Sequence, residues 1–321
     1  MLKLFDKYKH NSRLRFFAGV AMLILTVAIL DFIIGNLLDT FYFKQESGVE
    51  YRTTYSIEKT KARVLVFGSS TANHNYETNT FKKILNTSVY NAGRDGNSVF
   101  YDYGLLRAIL KRYSPSIIIL DFDTQEFLKA DDDYDKLSSL LPYYKTHPEI
   151  RGVVDLKSHY EKYKLLSHIY PFNSSIFTIA IGNMQYNKHR SIDIDGYVPL
   201  NTVWNEPIKA VKPDSGTLDS NKINCYKSFI TNCIDKKIKL YVVCSPLFII
   251  ADSLTNSLIS GKQIADAYHI PFFDYSQDTT FLNSSGLFAD VNHLNEKGAS
   301  VFSARIADSI LTGNMKNSFK F

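Results

Sequence analysis

Five short runs along the chain are apolar at most positions or rich in β-branched and aromatic residues, and they alternate with longer stretches of helical spacing. The runs are 63–67, Val89-Tyr90, 116–122 (Ile117-Ile118-Ile119-Leu120 at its centre), Leu240-Tyr241-Val242-Val243-Cys244 and Ile270-Pro271-Phe272-Phe273-Asp274. Helical patterns occupy 74–86, 99–113, 221–236, 255–268 and 295–312. The first, third and fourth runs are almost continuously apolar, as parallel strands covered on both faces should be. The alternation predicts an α/β body over 63–313 built on a doubly wound parallel sheet. In such sheets chemistry gathers at the carboxyl ends of the strands. Ser70, Gln125, Ser245 and Asp290 follow the first, third, fourth and fifth runs, so all four fall on that rim.

Two stretches break the rhythm. Residues 16–38 are apolar except around Asp31 and Asn36, long enough to cross a bilayer, which takes about 20 residues. A cleavable signal would carry a shorter apolar run, and no small-x-small site precedes Phe41-Tyr42-Phe43. A carboxylate within a span costs about 2.5–3.5 kcal/mol on insertion scales, so Asp31 needs water or a partner near the outer end. Residues 39–62 read as a polar connector. The second break is 128–220, far longer than an ordinary crossover, with Tyr143-Tyr144, Tyr160, Tyr163, Tyr170, Tyr186, Tyr197, Trp204 and six prolines. It is expected as an insertion over the active rim, and its aromatics can pack or stack on sugar faces.

Charge sharpens the membrane expectation. The formal net charge is +5, and the basic head 1–15 holds Lys3, Lys7, Lys9, Arg13 and Arg15 against Asp6. The rest of the chain is therefore nearly neutral, without the basic stripe that phosphate neutralisation requires, so nucleic acid is not an expected partner. Positive residues before the span place the N-terminus in the cytoplasm and the body outside it, in the periplasm or at the cell surface. Residues 314–321 form a tail. Cys225, Cys233 and Cys244 fit neither a disulfide framework nor metal-ligand spacing, and read as small buried hydrophobes. Asp131-Asp132-Asp133, like Asp193 and Asp195, reads as solvated loop rather than a metal site. No cofactor is expected, since no phosphate-cradling glycine loop follows the first strand.

The rim residues carry recognisable chemistry. A serine hydroxyl near neutral pH needs a base within hydrogen-bond reach, and a histidine oriented by a carboxylate supplies one. Ser70 sits on a sharp strand-to-helix turn, and Asp290-Val291-Asn292-His293 opens the last helical stretch, giving the order Ser, Asp, His. His74, four residues after Ser70, reads as a surface or rim histidine. Asp290 or Asn292 alone would read as a helix cap; the combination on the expected strands points to a triad.

These segments resemble the SGNH (GDSL-type) hydrolase superfamily, over about 63–125 and 221–312. The Gly-x-Ser block matches Gly68-Ser69-Ser70, with Ser69 in place of the usual Asp, and implies Ser70 as nucleophile. The Asn-x-x-x-x-Gly block matches Asn91 through Gly96, and the Asp-x-x-His-Leu-Asn-x-x-Gly block matches Asp290 through Gly298. The resemblance implies a flavodoxin-like sheet, the triad Ser70, Asp290 and His293, and an oxyanion hole from the backbone of Ser70 and Gly96. The third block departs: Gln125 stands where the family has an oxyanion asparagine, one methylene longer. Membrane-anchored, polysaccharide-modifying relatives also vary there. The resemblance thus implies a serine esterase or O-acyltransferase acting on acyl esters, with a carbohydrate substrate and, for a transferase, an acyl-donating membrane partner. A non-catalytic binding or assembly protein on the same fold is the alternative.

Overall fold

The computed structural model describes residues 12–184, 193–212 and 216–312; most of the basic head, Tyr186, Pro213 and the tail lie outside the described residues. Five parallel strands form the central sheet: β1 (Val64–Phe67), β2 (Val89–Asn91), β3 (Ile117–Asp121), β5 (Lys239–Cys244) and β7 (Phe272–Asp274). Two further strands, β4 (Lys209–Val211) and β6 (Ile249–Ala251), pair separately. The order in the main sheet is β2-β1-β3-β5-β7. The order of strand addition reverses between β1 and β3, and the crevice at such a switch point is where open α/β sheets hold ligands.

Period-two alternation in the strands splits the core in two. Leu65, Phe67, Ile118, Leu120, Leu240, Val242 and Phe272 face one layer, while Val64, Val66, Ile119, Val243 and Phe273 face the other. Helices α5 (Val99–Arg112), α6 (Ser220–Asp235) and α7 (Asn256–Ala267) cover the first face. Helices α3 (Ser70–Asn75), α4 (Thr78–Leu85) and α8 (Glu296–Thr312) cover the second. The pattern expected over 74–86 resolves into α3 and α4, because the helix starts at Ser70 and breaks at Tyr76 and Glu77. The break aims Tyr76 Oη at Asp121 Oδ1, 2.6 Å away, and lets Glu77 N–H donate to Ser303 Oγ at 2.7 Å.

The N-terminal helix α1 runs Ser12–Lys44, beyond the 16–38 expected, and within that apolar stretch Gly35 alone is buried. Within 39–62 the chain forms a second helix, α2 (Gly48–Glu58), with Thr53 and Thr54 buried against Tyr101 and Tyr143. The insertion divides into two parts. Short helices over 131–183 pack on α5, α2 and the upper part of α1. The return leg runs along the sheet rim: Val198 N–H donates to Asn73 O, and Trp204 N–H to Phe288 O. Asp133 is no solvated loop residue, since it pairs with the buried Lys222 ammonium.

Candidate active site

Ser70 occupies the first helical position of α3, three residues after β1 ends. The reversal depends on Gly68: its φ is +135°, and a Cβ there would lie 2.9 Å from Ala72 Cβ, Asp121 Cβ and Asp121 O. Its N–H donates to the buried Asp102 Oδ1 at 3.1 Å. Beneath the turn, Asp121 accepts from Tyr76 at 2.6 Å, Ser245 at 2.5 Å and Thr71. Burial pushes the Asp121 carboxyl up to about 6 despite those donors. It pushes Asp102 to about 8, with the Asp121 charge adding to the effect and the Gly68 N–H opposing it. The base of the nucleophile turn is thus fixed by a fully partnered, buried carboxyl network.

His293 Nε2 lies 2.8 Å from Ser70 Oγ, and its Nδ1 lies 2.9 Å from both carboxylate oxygens of Asp290. Asp290 Oδ1 also accepts the N–H of Asn292 at 2.8 Å and of His293 at 2.9 Å. Burial raises the Asp290 carboxyl, but the His293 bond, the His293 charge and these N–H donors more than offset it, leaving it below its ordinary value. The loop is tied to the nucleophile's helix, because Leu294 N–H donates to Asn75 Oδ1 at 2.9 Å. Asn295 then accepts from Gly298 N–H at 3.1 Å as a helix cap and donates to Gly286 O at 2.9 Å. Asp290, His293 and Asn295 each have a distinct structural task in the Asp290–Gly298 segment, and the packing of two segments brings Ser70, Asp290 and His293 together.

The other two expected residues make no hydrogen bond to those three among the described residues. The segment from Asn91 is fastened to α3, with Asn91 Nδ2 donating to Ala72 O at 2.7 Å and Arg94 N–H donating to Gly68 O at 3.1 Å. Gly96 sits exposed at the tip of the turn that follows. Gln125 is exposed too, and shares with Ser69, Asn97 and Asp123 the lining of a cavity of about 220 Å³. Asp123 Oδ1 accepts the Gln125 N–H at 2.7 Å.

His74 departs from expectation. It is buried, its Nδ1 lies 2.7 Å from Val198 O, its Nε2 is 3.4 Å from Asp95 Oδ1, and its ring meets that of His293 edge-on at 5.4 Å. Asp95, next to Gly96, also accepts from Asn73 Nδ2 at 2.6 Å. The polar run Asn73-His74-Asn75 is the signal that could have exposed this clamp, since three polar side chains beside a nucleophile cannot all face water from one helical turn. Burial lowers the His74 pKa, but the bonds to Asp95 and Val198 O outweigh it and leave the imidazole above its ordinary value, against a small opposing effect of Arg52. Asp95 is depressed to about 2, burial being outweighed by His74 and Asn73.

The His74 contribution to stability is complete below the ordinary imidazole pKa of about 6.5 and is lost as pH rises through the raised folded value. The Asp95 contribution is complete above about 3.8 and is lost as pH falls through about 2. His74→Gln should therefore lower Tm most near pH 5–6, and the deficit should shrink toward pH 9. Parallel melts of both proteins across that range check it, and a deficit independent of pH would refute the charged pair.

Among the described residues no group of three His, Cys, Asp or Glu side chains is arranged to hold a metal ion. No protein-family model matches the chain, and no curated protein matches it. Solved structures similar to it include the following two. A lipase/acylhydrolase from Enterococcus faecalis aligns at TM-score 0.38 and 13% identity, over 80% of this chain and 98% of its own. An acetyl xylan esterase, AlAXEase, aligns at TM-score 0.37 and 12% identity, over 78% of this chain and all of its own.

Proposed function

We propose that the protein is a serine-dependent ester hydrolase or O-acyltransferase of the SGNH type, anchored in a membrane through α1 with its body outside the cytoplasm. The observation that carries this is the relay from Ser70 Oγ to His293 Nε2 at 2.8 Å and from His293 Nδ1 to Asp290 at 2.9 Å. Ser70 Oγ attacks the ester carbonyl carbon while His293 Nε2 takes its proton. Asp290 holds the proton of Nδ1 and so fixes the tautomer that leaves Nε2 free to accept. The developing oxyanion is met by backbone N–H groups of Ser70 and Gly96 and by the Gln125 amide, where one donor is worth about 3–4 kcal/mol. His293 returns the proton to the departing alcohol, leaving an acyl-Ser70 ester. Water or a sugar hydroxyl, deprotonated by the same imidazole, then accepts the acyl group.

The cavity beside Ser69 has mixed walls: Asn97, Asp123 and Gln125 offer hydrogen bonds, while Leu128 and Ala130 offer apolar surface. An acylated envelope or exported polysaccharide is the substrate class that suits such walls and an extracytoplasmic body. A transferase would take its acyl group from a membrane partner.

The test is the full chain, in detergent, mixed with p-nitrophenyl acetate beside Ser70→Ala and read by intact mass. The expected result is an acetyl adduct on the wild type and none on the variant. Equal labelling, or labelling of neither with equal background hydrolysis, would remove Ser70 as an acyl carrier from simple esters and favour a binding or assembly role on this fold.

A further inference from the structure

The geometry points to a second membrane contact: we propose that the insertion carries an apolar wedge, built from Leu166 and the helix Ile176–Asn183, that lies in the outer leaflet beside α1. This rests on the reading of α1 as a membrane span. At about 1.5 Å per residue, the fifteen residues from Phe16 to Asp31 rise about 22 Å, and the hydrocarbon core is about 30 Å thick. A span that begins at Phe16 therefore has Asp31 several ångströms inside its outer boundary.

The insertion reaches that depth. Asp31 accepts from Ser167 Oγ at 2.5 Å, His168 N–H at 2.7 Å and Ile169 N–H at 3.3 Å, and the Phe32 and His168 rings meet at 5.1 Å. These donors answer the cost of a carboxylate in a span, because the protein supplies what water cannot. Leu166, one residue before them, is 76% exposed. Higher on α1, Asn183 Nδ2 donates to Phe41 O at 2.8 Å, about 37 Å above Phe16, which sets the end of the helix Ile176–Asn183 at the headgroup level just outside the hydrocarbon.

That helix carries no charge. Ile179 is buried, whereas Phe177 is 84% exposed and Met184, just beyond it, 78%. The helix packs on α1, so the lipid around the exposed apolar side chains of α1 also meets those of the helix. Tyr160 and Tyr163, also exposed, supply the kind of aromatic side chain that settles at the headgroup level. In this arrangement the body is seated on the bilayer at two points and does not swing on a stalk, which fixes the distance of the Ser70 crevice from the lipid surface.

The experiment uses the full chain in nanodiscs of phosphatidylcholine brominated either near the carbonyl end or at the centre of the acyl chains. Trp204, the sole tryptophan, is replaced by Phe, and single tryptophans are placed by Leu166→Trp, Phe177→Trp or, as the span control, Leu25→Trp. The expected result is loss of emission at 166 and 177 chiefly with the shallow bromines and at 25 chiefly with the deep ones, while wild-type Trp204 keeps its emission. Tryptophans at 166 and 177 that escape both lipids while 25 is quenched would overturn the wedge and leave the anchor standing. If they also resist acrylamide, a protein surface or second copy covers them, which overturns it equally. An unquenched tryptophan at 25 would remove the span itself, and the wedge with it.

Discussion

Asp290→Asn is expected to fold with only a slightly lowered melting temperature and to lose about four orders of magnitude in kcat/KM on an ester substrate, as is His293→Ala. The asparagine separates two tasks that the aspartate performs at once. One is local: Oδ1 accepts the N–H groups of Asn292 and His293, which shape the loop, and an amide oxygen accepts them equally well. The other is electrostatic: both oxygens lie 2.9 Å from His293 Nδ1, and an amide NH₂ turned toward that atom favours the tautomer with the proton on Nε2. A protonated Nε2 cannot take the Ser70 proton across 2.8 Å. Asp290→Ala should lose the activity and also destabilise the loop, because two backbone donors then lose their acceptor. Steady-state kinetics with thermal melts of the three variants separates these effects. Retention of more than a tenth of the wild-type rate by Asp290→Asn would show that the carboxylate does not govern the tautomer.

The chain betrays its sheet because its strands are covered on both faces and so are apolar at successive positions, which leaves β1, β3 and β5 plain in the sequence. The expected helices over 99–113, 221–236, 255–268 and 295–312 each lie within a residue or so of α5, α6, α7 and α8. What stayed hidden was hidden for physical reasons. Glu50 within α2 is buried by its pairing with Arg94, a partner 44 residues away that no local periodicity can announce. The breaks at Tyr76 and Glu77 likewise answer to Asp121 and Ser303, which are close only after folding. For the candidate site, local motifs named Ser70, Asp290 and His293, because their spacing is set by one turn and one loop. The clamp of His74 and Asn73 on Asp95 joins α3 to the segment after β2, and only the polar crowding of Asn73-His74-Asn75 hinted at it.

Phe122→Ala should lower stability by about 3–5 kcal/mol, a fall of roughly 10 °C in Tm for a body of this size. Phe122 directly follows β3 and is 1% exposed, and its ring meets Phe127 at 5.1 Å, Tyr226 at 5.4 Å and Phe272 at 5.5 Å, all edge-on. The fourth wall is α7, where Gly261 leaves the ring its place: a Cβ there would sit 2.4 Å from Phe122 Cζ and 2.9 Å from Cε1 and Cε2. Gly261→Ala is therefore expected to cost about 1–3 kcal/mol through displacement of the ring, although alanine favours the helix by about 1 kcal/mol. With Phe122→Leu the shorter side chain leaves room, so the added methyl fills space that would otherwise be void. The double variant should then be more stable than the sum of the two single changes by about 1–2 kcal/mol. Denaturant melts of the four proteins measure that coupling, and additive changes would mean that the ring does not press on α7. The consequence extends to the site, because Phe122 lies between Asp121, which holds Thr71 and Ser245 beneath the nucleophile turn, and Asp123, which fixes Gln125 at the rim. A loosened Phe122 frees both neighbours, so Phe122→Ala should lose ester turnover even at temperatures where it stays folded, whereas Gly261→Ala, which shifts the ring without removing it, should lose less.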